Sequence, residues 1–267
     1  MKIHRSIIGI MSAALAATFI VGCSKTIPLE ELEEWDLVYI SDSTGFGAAE
    51  KFAENIERDT GKTVQIHDYA VGDLSAVVVL QALQSDPESL SNYKFKPLQS
   101  DIAEAEVIVF FANPRGAPSQ GGVQGGMENC VEYYSGKPPE DCTLQLYEPY
   151  IDNLKAIYEA VFALRNGNPT IIRAVGFYNP VISEHRKSNT EIECTQCWET
   201  FNTAIRQAAD EFNIPFVSVY DAFNGLNHDE DPREKGYIGG DGVHTSEQGQ
   251  QVIADILSEV GYEPVEP

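Results

Sequence analysis

The sequence predicts an α/β fold, a three-layer α/β/α sandwich built on a five-stranded parallel sheet. Five apolar runs, Leu37 to Ile40, Val64 to Ile66, Val107 to Phe111, Thr170 to Val175 and Pro215 to Tyr220, are distributed along the chain. Most are continuous rather than alternating, which suits strands buried on both faces of a parallel sheet. Segments with helical spacing lie between them, and alternation of strand with helix gives a sheet covered by helices on both sides.

The N-terminus precedes the fold. Lys2 and Arg5 lead into an apolar run from Ile7 to Val21 that ends at Gly22-Cys23. A charged start, an apolar middle and small residues at the end describe a secretory signal, placed at residues 1–22. Ile20-Val21-Gly22-Cys23 resembles the bacterial lipobox, which implies that Cys23 becomes a lipidated first residue. The expected localisation is then outside the cytoplasm, lipid-anchored to the cell envelope, with the membrane as a partner through Cys23. A short uncleaved anchor is the alternative, although the run is shorter than the roughly 20 residues that span a bilayer. Residues 23–34 read as the lipidated cysteine and an acidic tether. Residues 35–267 suit one α/β domain.

Charge excludes one class of partner. The chain carries 18 basic and 41 acidic residues, and removal of residues 1–22 takes only Lys2 and Arg5, leaving 16 against 41 and a net charge of −25. Such a surface repels nucleic acid, so none is expected as a partner.

The first strand ends in Ser41-Asp42-Ser43-Thr44-Gly45, and a helical segment follows from about Phe46 to Asp59. This strand, turn and helix could present a nucleophilic serine, cradle a phosphate on backbone amides, or simply cap the helix. Residues 150–164 place Tyr150, Ile151, Leu154, Ile157, Val161 and Leu164 on one helical face, with Pro149 ahead and Gly167 beyond. Residues 201–212 repeat the pattern. The last helix opens with Thr245-Ser246-Glu247-Gln248, a capping-box pattern, and stops at Gly261. Two long connections remain, Pro114 to Thr143 with Tyr133 and Tyr134, and Asp221 to Gly240 with Asp229-Glu230-Asp231. The acidic run reads as a solvated loop, with calcium as the sharper alternative.

Four further cysteines, Cys130, Cys142, Cys194 and Cys197, suggest two disulfides in an exported chain. The expected pairing is local, Cys130 with Cys142 and Cys194 with Cys197. The alternative for Cys194-Thr195-Gln196-Cys197 is a redox or zinc site, but no second C-x-x-C or spaced histidine pair completes a zinc set, and no metal or cofactor is expected.

A nucleophilic serine needs a base, and the base needs an orienting partner. His67 lies within the second strand, while His185 and His228 stand in polar, solvated surroundings. His244 differs, because it follows Asp241-Gly242-Val243 and directly precedes the last helix. Asp241 can turn back across Gly242 to hold the imidazole. In a parallel sandwich that loop falls at the carboxyl edge of the sheet, on the same side as Ser43.

Ser41-Asp42-Ser43-Thr44 resembles the G-D-S-L block of the SGNH, or GDSL, hydrolases, and Asp241-Gly242-Val243-His244 resembles their D-x-x-H block. Gly72, in Ala70-Val71-Gly72-Asp73, falls where that family has its oxyanion-hole glycine. Asn113, in Phe111-Ala112-Asn113-Pro114, matches the asparagine of the G-x-N-D block. Ser41, Phe111 and Pro114 depart from the family pattern. The resemblance implies a flavodoxin-like SGNH sandwich that hydrolyses carboxylic esters, with Ser43, Asp241 and His244 catalytic and Ser43, Gly72 and Asn113 forming the oxyanion hole. It also implies a small-molecule or glycan ester as the substrate. Three alternatives stay open: a flavodoxin-like protein binding flavin mononucleotide at Ser41 to Gly47, an α/β-hydrolase, and a non-catalytic glycan-binding lipoprotein presenting Tyr133 and Tyr134.

Overall fold

The computed structural model describes residues 28–111, 130 and 142–265. Cys23, Asn113, Tyr133 and Tyr134 therefore lie outside the described residues, as do the signal segment and residues 24–27 of the tether.

The strands are β1 (Glu34–Ser41), β2 (Thr63–Asp68), β3 (Val107–Phe111), β4 (Ile171–Val175) and β5 (Phe216–Val217). All pair in parallel in the order β2-β1-β3-β4-β5. Position in the sheet explains the sequence pattern of each strand. Every residue of β3 and β4 is buried, as expected of central strands covered on both faces, whereas β2 has exposed and half-buried residues because it is an edge.

The helices are α1 (Ala48–Thr60), α2 (Ala76–Gln84), α3 (Leu98–Glu104), α4 (Glu148–Arg165), α5 (Ile182–Ser188), α6 (Glu191–Asp210), α7 (Val219–Asn224) and α8 (Glu247–Glu259). Helices α1 and α8 pack together on one face, where Asn55 Nδ2 donates to Asp255 Oδ1 at 3.0 Å. On the other face α4 lies against α2, α3 and α6. The three-layer sandwich is therefore as the sequence predicts. Among the described residues no helix is long and apolar enough to cross a membrane.

Several boundaries differ from expectation. Only Phe216 and Val217 of the run from Pro215 to Tyr220 pair as strand, because Ser218 stops the extension and caps α7 through its hydroxyl, which accepts from the Asp221 amide at 3.1 Å. A short apolar run does not distinguish a buried strand from a buried helix, and here it contains both. The segment from Asp221 to Gly240 accordingly begins inside a helix. Helix α6 starts ten residues before the expected 201 and takes in both Cys194 and Cys197. Helix α1 starts at Ala48 rather than Phe46, because Gly47 adopts a left-handed φ of 76° ahead of it. The cap of α8 is Ser246, whose hydroxyl accepts from Gly249 N at 3.1 Å, rather than Thr245.

The disulfide pairing is also corrected. Cys130 joins Cys194 and Cys142 joins Cys197, with Cα separations of 5.2 and 5.0 Å. Within a helix, side chains three apart have Cβ atoms about 5–6 Å from each other, beyond the roughly 3.5–4.5 Å that a disulfide needs. Placing Cys194 and Cys197 on one face of α6 thus rules out a bond between them and offers each to a partner from outside. Both are fully buried, and the redox and zinc readings of the C-x-x-C lapse with the bridges.

Candidate active site

The turn after β1 is built by two residues beside the candidate serine. Asp42, 2% exposed, accepts from the Thr44 amide at 2.9 Å and the Thr44 hydroxyl at 2.5 Å, and its own amide donates to Phe111 O at 3.1 Å. That last bond ties the turn to the end of β3. Gly45 packs so closely that a Cβ there would stand 2.7 Å from Phe111 Cδ1 and 2.8 Å from Ser41 Cβ. Ser43 opens the resulting 3₁₀ turn, Ser43–Gly45, at the carboxyl end of a central strand.

The second part of the site arrives from the other end of the chain. An isolated antiparallel bridge between Ile238 and Thr245 closes a tight loop, with Gly239 N donating to His244 O at 2.7 Å. Gly242 takes a φ of 78°, the left-handed region that favours glycine, and this lets the chain double back. Asp241 then turns inward on its own loop. Its Oδ1 accepts from the amides of Val243 (2.9 Å) and His244 (3.0 Å), and its Oδ2 lies 2.6 Å from His244 Nδ1.

The other ring nitrogen, His244 Nε2, is 2.9 Å from Ser43 Oγ. Hydroxyl, imidazole and carboxylate are thus in hydrogen-bonded series. The Val243 amide, with help from the ring and amide of His244, pulls the Asp241 carboxyl down to about 2 although desolvation opposes it. Asp241 is therefore a carboxylate throughout the neutral range, and it favours the tautomer that carries the proton on Nδ1 and leaves Nε2 free to accept. Phe46 lies nearly parallel to the imidazole, 11° between planes and 6.5 Å between centroids, and is 42% exposed.

Gly72 follows β2. The amide of its neighbour Val71 donates to Ser41 O at 3.0 Å, which brings this loop alongside the end of β1. A Cβ at Gly72 would meet no atom of the described residues within 4 Å. Among the described residues neither the Ser43 nor the Gly72 amide has a hydrogen-bond acceptor. The structure thus brings Ser43, Asp241 and His244 together and sets Gly72 beside the same strand end. Asn113 lies two residues beyond the described end of β3.

The geometry bears on the other expectations. A phosphate cradle needs free amides, but Thr44 N is bonded to Asp42 Oδ1 and Gly45 N to Asp42 O, which counts against the flavin alternative. Among the described residues no group of three or more His, Cys, Asp or Glu side chains could hold a metal ion. Asp231 is buried at 6% exposure and caps its own turn, its Oδ1 accepting from Arg233 N at 2.9 Å, so the acidic run is not wholly solvated. His185 is likewise buried, on the inner face of α5 with Nδ1 3.3 Å from Asn179 Nδ2, and burial pushes its pKa below the usual histidine value. His228 does stand among acids, but it is held by them rather than free in solvent. Its ring nitrogens lie 3.0 Å from Glu199 Oε1 and 2.8 Å from Asp221 Oδ1, and its ring stacks on Tyr220.

Two residues at the site carried no recognisable signal in the sequence. Tyr178, after β4, donates its hydroxyl to Val243 O at 2.8 Å. Arg233 donates Nε and Nη2 to Gly242 O, at 3.1 and 2.8 Å. Nothing in the sequence around Arg233 hints at its role.

No family model matches the chain, and no curated protein does. Solved structures do. A lipase from a goat rumen metagenome aligns over 86% of this chain and 98% of its own, with a TM-score of 0.61 at 17% identity. An acetylxylan esterase from Geobacillus stearothermophilus, crystallised as a catalytic mutant, aligns over 86% and 95%, with 0.53 at 14% identity. The fold is the three-layer α/β/α sandwich that these lipase and esterase structures share. A two-domain esterase active on acetylated mannans aligns over 86% of this chain and 49% of its own, with a TM-score of 0.51 at 12% identity.

Proposed function

We propose that the chain is a serine hydrolase of carboxylic esters, acting through an acyl-enzyme on Ser43. The observation that carries this reading is the unbroken series Ser43 Oγ, His244 Nε2, His244 Nδ1, Asp241 Oδ2, with contacts of 2.9 and 2.6 Å. His244 takes the Ser43 proton as Oγ attacks the ester carbonyl, and returns it to the leaving alcohol. Asp241 holds the ring and stabilises the imidazolium without itself being protonated. Water then repeats the sequence on the acyl-enzyme and releases the acid. The open Ser43 and Gly72 amides, with the side chain of Asn113, receive the oxyanion; one such donor is typically worth about 10²–10³ in rate.

The substrate class is an acyl ester or an O-acetyl group on a small molecule or glycan. Phe46, exposed beside the imidazole, gives the leaving alcohol an aromatic surface, and two of the structural neighbours act on acetylated glycans. The two disulfides support export, and the lipobox-like segment supports anchoring through Cys23, with residues 35–267 as the hydrolase domain.

The test is hydrolysis of p-nitrophenyl esters of graded chain length and of acetylated xylan and mannan by purified protein, beside Ser43→Ala. Turnover that disappears in the variant, with circular dichroism unchanged, supports the reading. Turnover retained by Ser43→Ala sinks it.

A further inference from the structure

The D-x-x-H loop presents a physical problem. The side chains of Asp241 and His244 are 54% and 43% exposed, and exposed loops open at low free-energy cost. A catalytic imidazole nonetheless has to be held within about 0.5 Å of its working position. The bonds from Asp241 to His244 do not supply this, because they lie within the loop and travel with it.

Two side chains from outside the loop do supply it. Only Gly242 and Val243 separate Asp241 from His244, and the carbonyl of each is gripped. Val243 O accepts from Tyr178 Oη at 2.8 Å. Gly242 O accepts from Arg233 Nε and Nη2 at 3.1 and 2.8 Å, a forked contact that fixes direction as well as distance.

Both grips are themselves braced. Tyr178 is 2% exposed and stacks on Phe223 of α7 at 4.6 Å, and Phe223 in turn meets Tyr237 at 5.2 Å. Burial, with the charges of Asp42 and Asp241, holds the phenol pKa well above its ordinary value, so the hydroxyl remains a donor over the working range. Arg233 is oriented by Glu184 of α5, whose Oε1 accepts from Nη1 at 2.5 Å, and its backbone is fixed by the cap from buried Asp231.

We propose that Tyr178 and Arg233 are positioning residues for His244, acting on the two peptide carbonyls that link the base to its carboxylate. The claim rests on the esterase reading for its kinetic consequences but not for its structural one. Neither residue touches the reacting atoms. Each removes a way for the imidazole to swing away from Ser43, and losing one grip leaves a loop carbonyl without its donor.

The experiment compares Arg233→Gln, Arg233→Lys and Tyr178→Phe with the wild type by steady-state kinetics on p-nitrophenyl acetate. Alongside, ¹H–¹⁵N imidazole spectra report the tautomer of His244. A displacement of about 1 Å can cost roughly 10²-fold in rate. Arg233→Gln and Tyr178→Phe are therefore expected to lower kcat by about 10–100-fold with KM within about twofold, and to replace a single Nδ1–H tautomer by a mixture. Arg233→Lys, keeping one donor, should recover part of kcat. Wild-type kcat and a wild-type imidazole spectrum in folded Arg233→Gln and Tyr178→Phe would overturn the proposal. If the wild type shows the single tautomer and the variants lose it, yet no ester is turned over, the positioning claim stands and the esterase reading falls.

Discussion

His244 Nε2 lies 2.9 Å from Ser43 Oγ although 201 residues separate them in the chain. The contact is a consequence of the layers. Ser43 ends the strand–turn that leads into α1, and His244 begins the turn that leads into α8. Because α1 and α8 pack side by side, their N-terminal turns meet. A bond from Thr245 Oγ1 to Thr44 O, at 3.5 Å, adds a direct tie.

The acid member of the series should leave a mark on pH dependence. The Asp241 carboxyl is lowered to about 2 from an ordinary value near 3.9. A depressed folded pKa means that the charge contributes to stability above the unfolded value, and that the contribution is lost as pH falls through about 2. Protonation of Asp241 therefore does not account for a change in kcat/KM between about pH 4 and pH 8. Asp241→Asn should lower kcat roughly 10²–10⁴-fold across the neutral range by favouring the wrong tautomer. A kcat within about threefold of wild type would remove Asp241 from the role.

Gly45 should be the least replaceable residue of the serine turn. A Cβ at that position would lie 2.7 Å from Phe111 Cδ1 and 2.8 Å from Ser41 Cβ, and both residues are fully buried. Neither can yield without moving a central strand. Gly45→Ala is expected to cost about 1–3 kcal/mol, or roughly 2–12 °C in Tm for a domain of this size, with a larger loss of activity than of stability. Thermal unfolding beside kcat measures both.

Legibility in the sequence followed the range of the interaction. The sheet could be read because each strand's burial is written in its own residues, and β3 and β4 match the expected runs to within a residue. That Ser43, Asp241 and His244 would meet could be read because Asp241 and His244 are three residues apart and their loop and the Ser43 turn were both placed at the carboxyl edge of the sheet. Tyr178 and Arg233 could not, since they act on backbone carbonyls and any sequence at Gly242 and Val243 has those. His185 was misread because its charged neighbours, Arg186 and Lys187, face outward from a helix whose other side is core. The disulfide pairing was misread because short separation in the chain was taken for proximity, whereas the helical state of α6 separates Cys194 from Cys197.

The corrected pairing is itself testable. Peptide mapping without reduction should recover Cys130 linked to Cys194 and Cys142 linked to Cys197, which close separations of 64 and 55 residues. Loops of that length make a disulfide worth about 2–4 kcal/mol, so Cys130→Ala with Cys194→Ala should lower Tm by roughly 5–15 °C. Recovery of a Cys194–Cys197 peptide would contradict the arrangement of α6.

The measurement that bears most directly on the function is the site of covalent capture. Purified protein treated with a fluorophosphonate, digested and sequenced by mass spectrometry should carry a single phosphonyl adduct on Ser43, formed in step with loss of ester hydrolysis and greatly slowed in His244→Ala. An enzyme that hydrolyses esters while Ser43 stays unmodified, or an adduct on another residue that accounts for the lost activity, would contradict the assignment of Ser43 as the nucleophile.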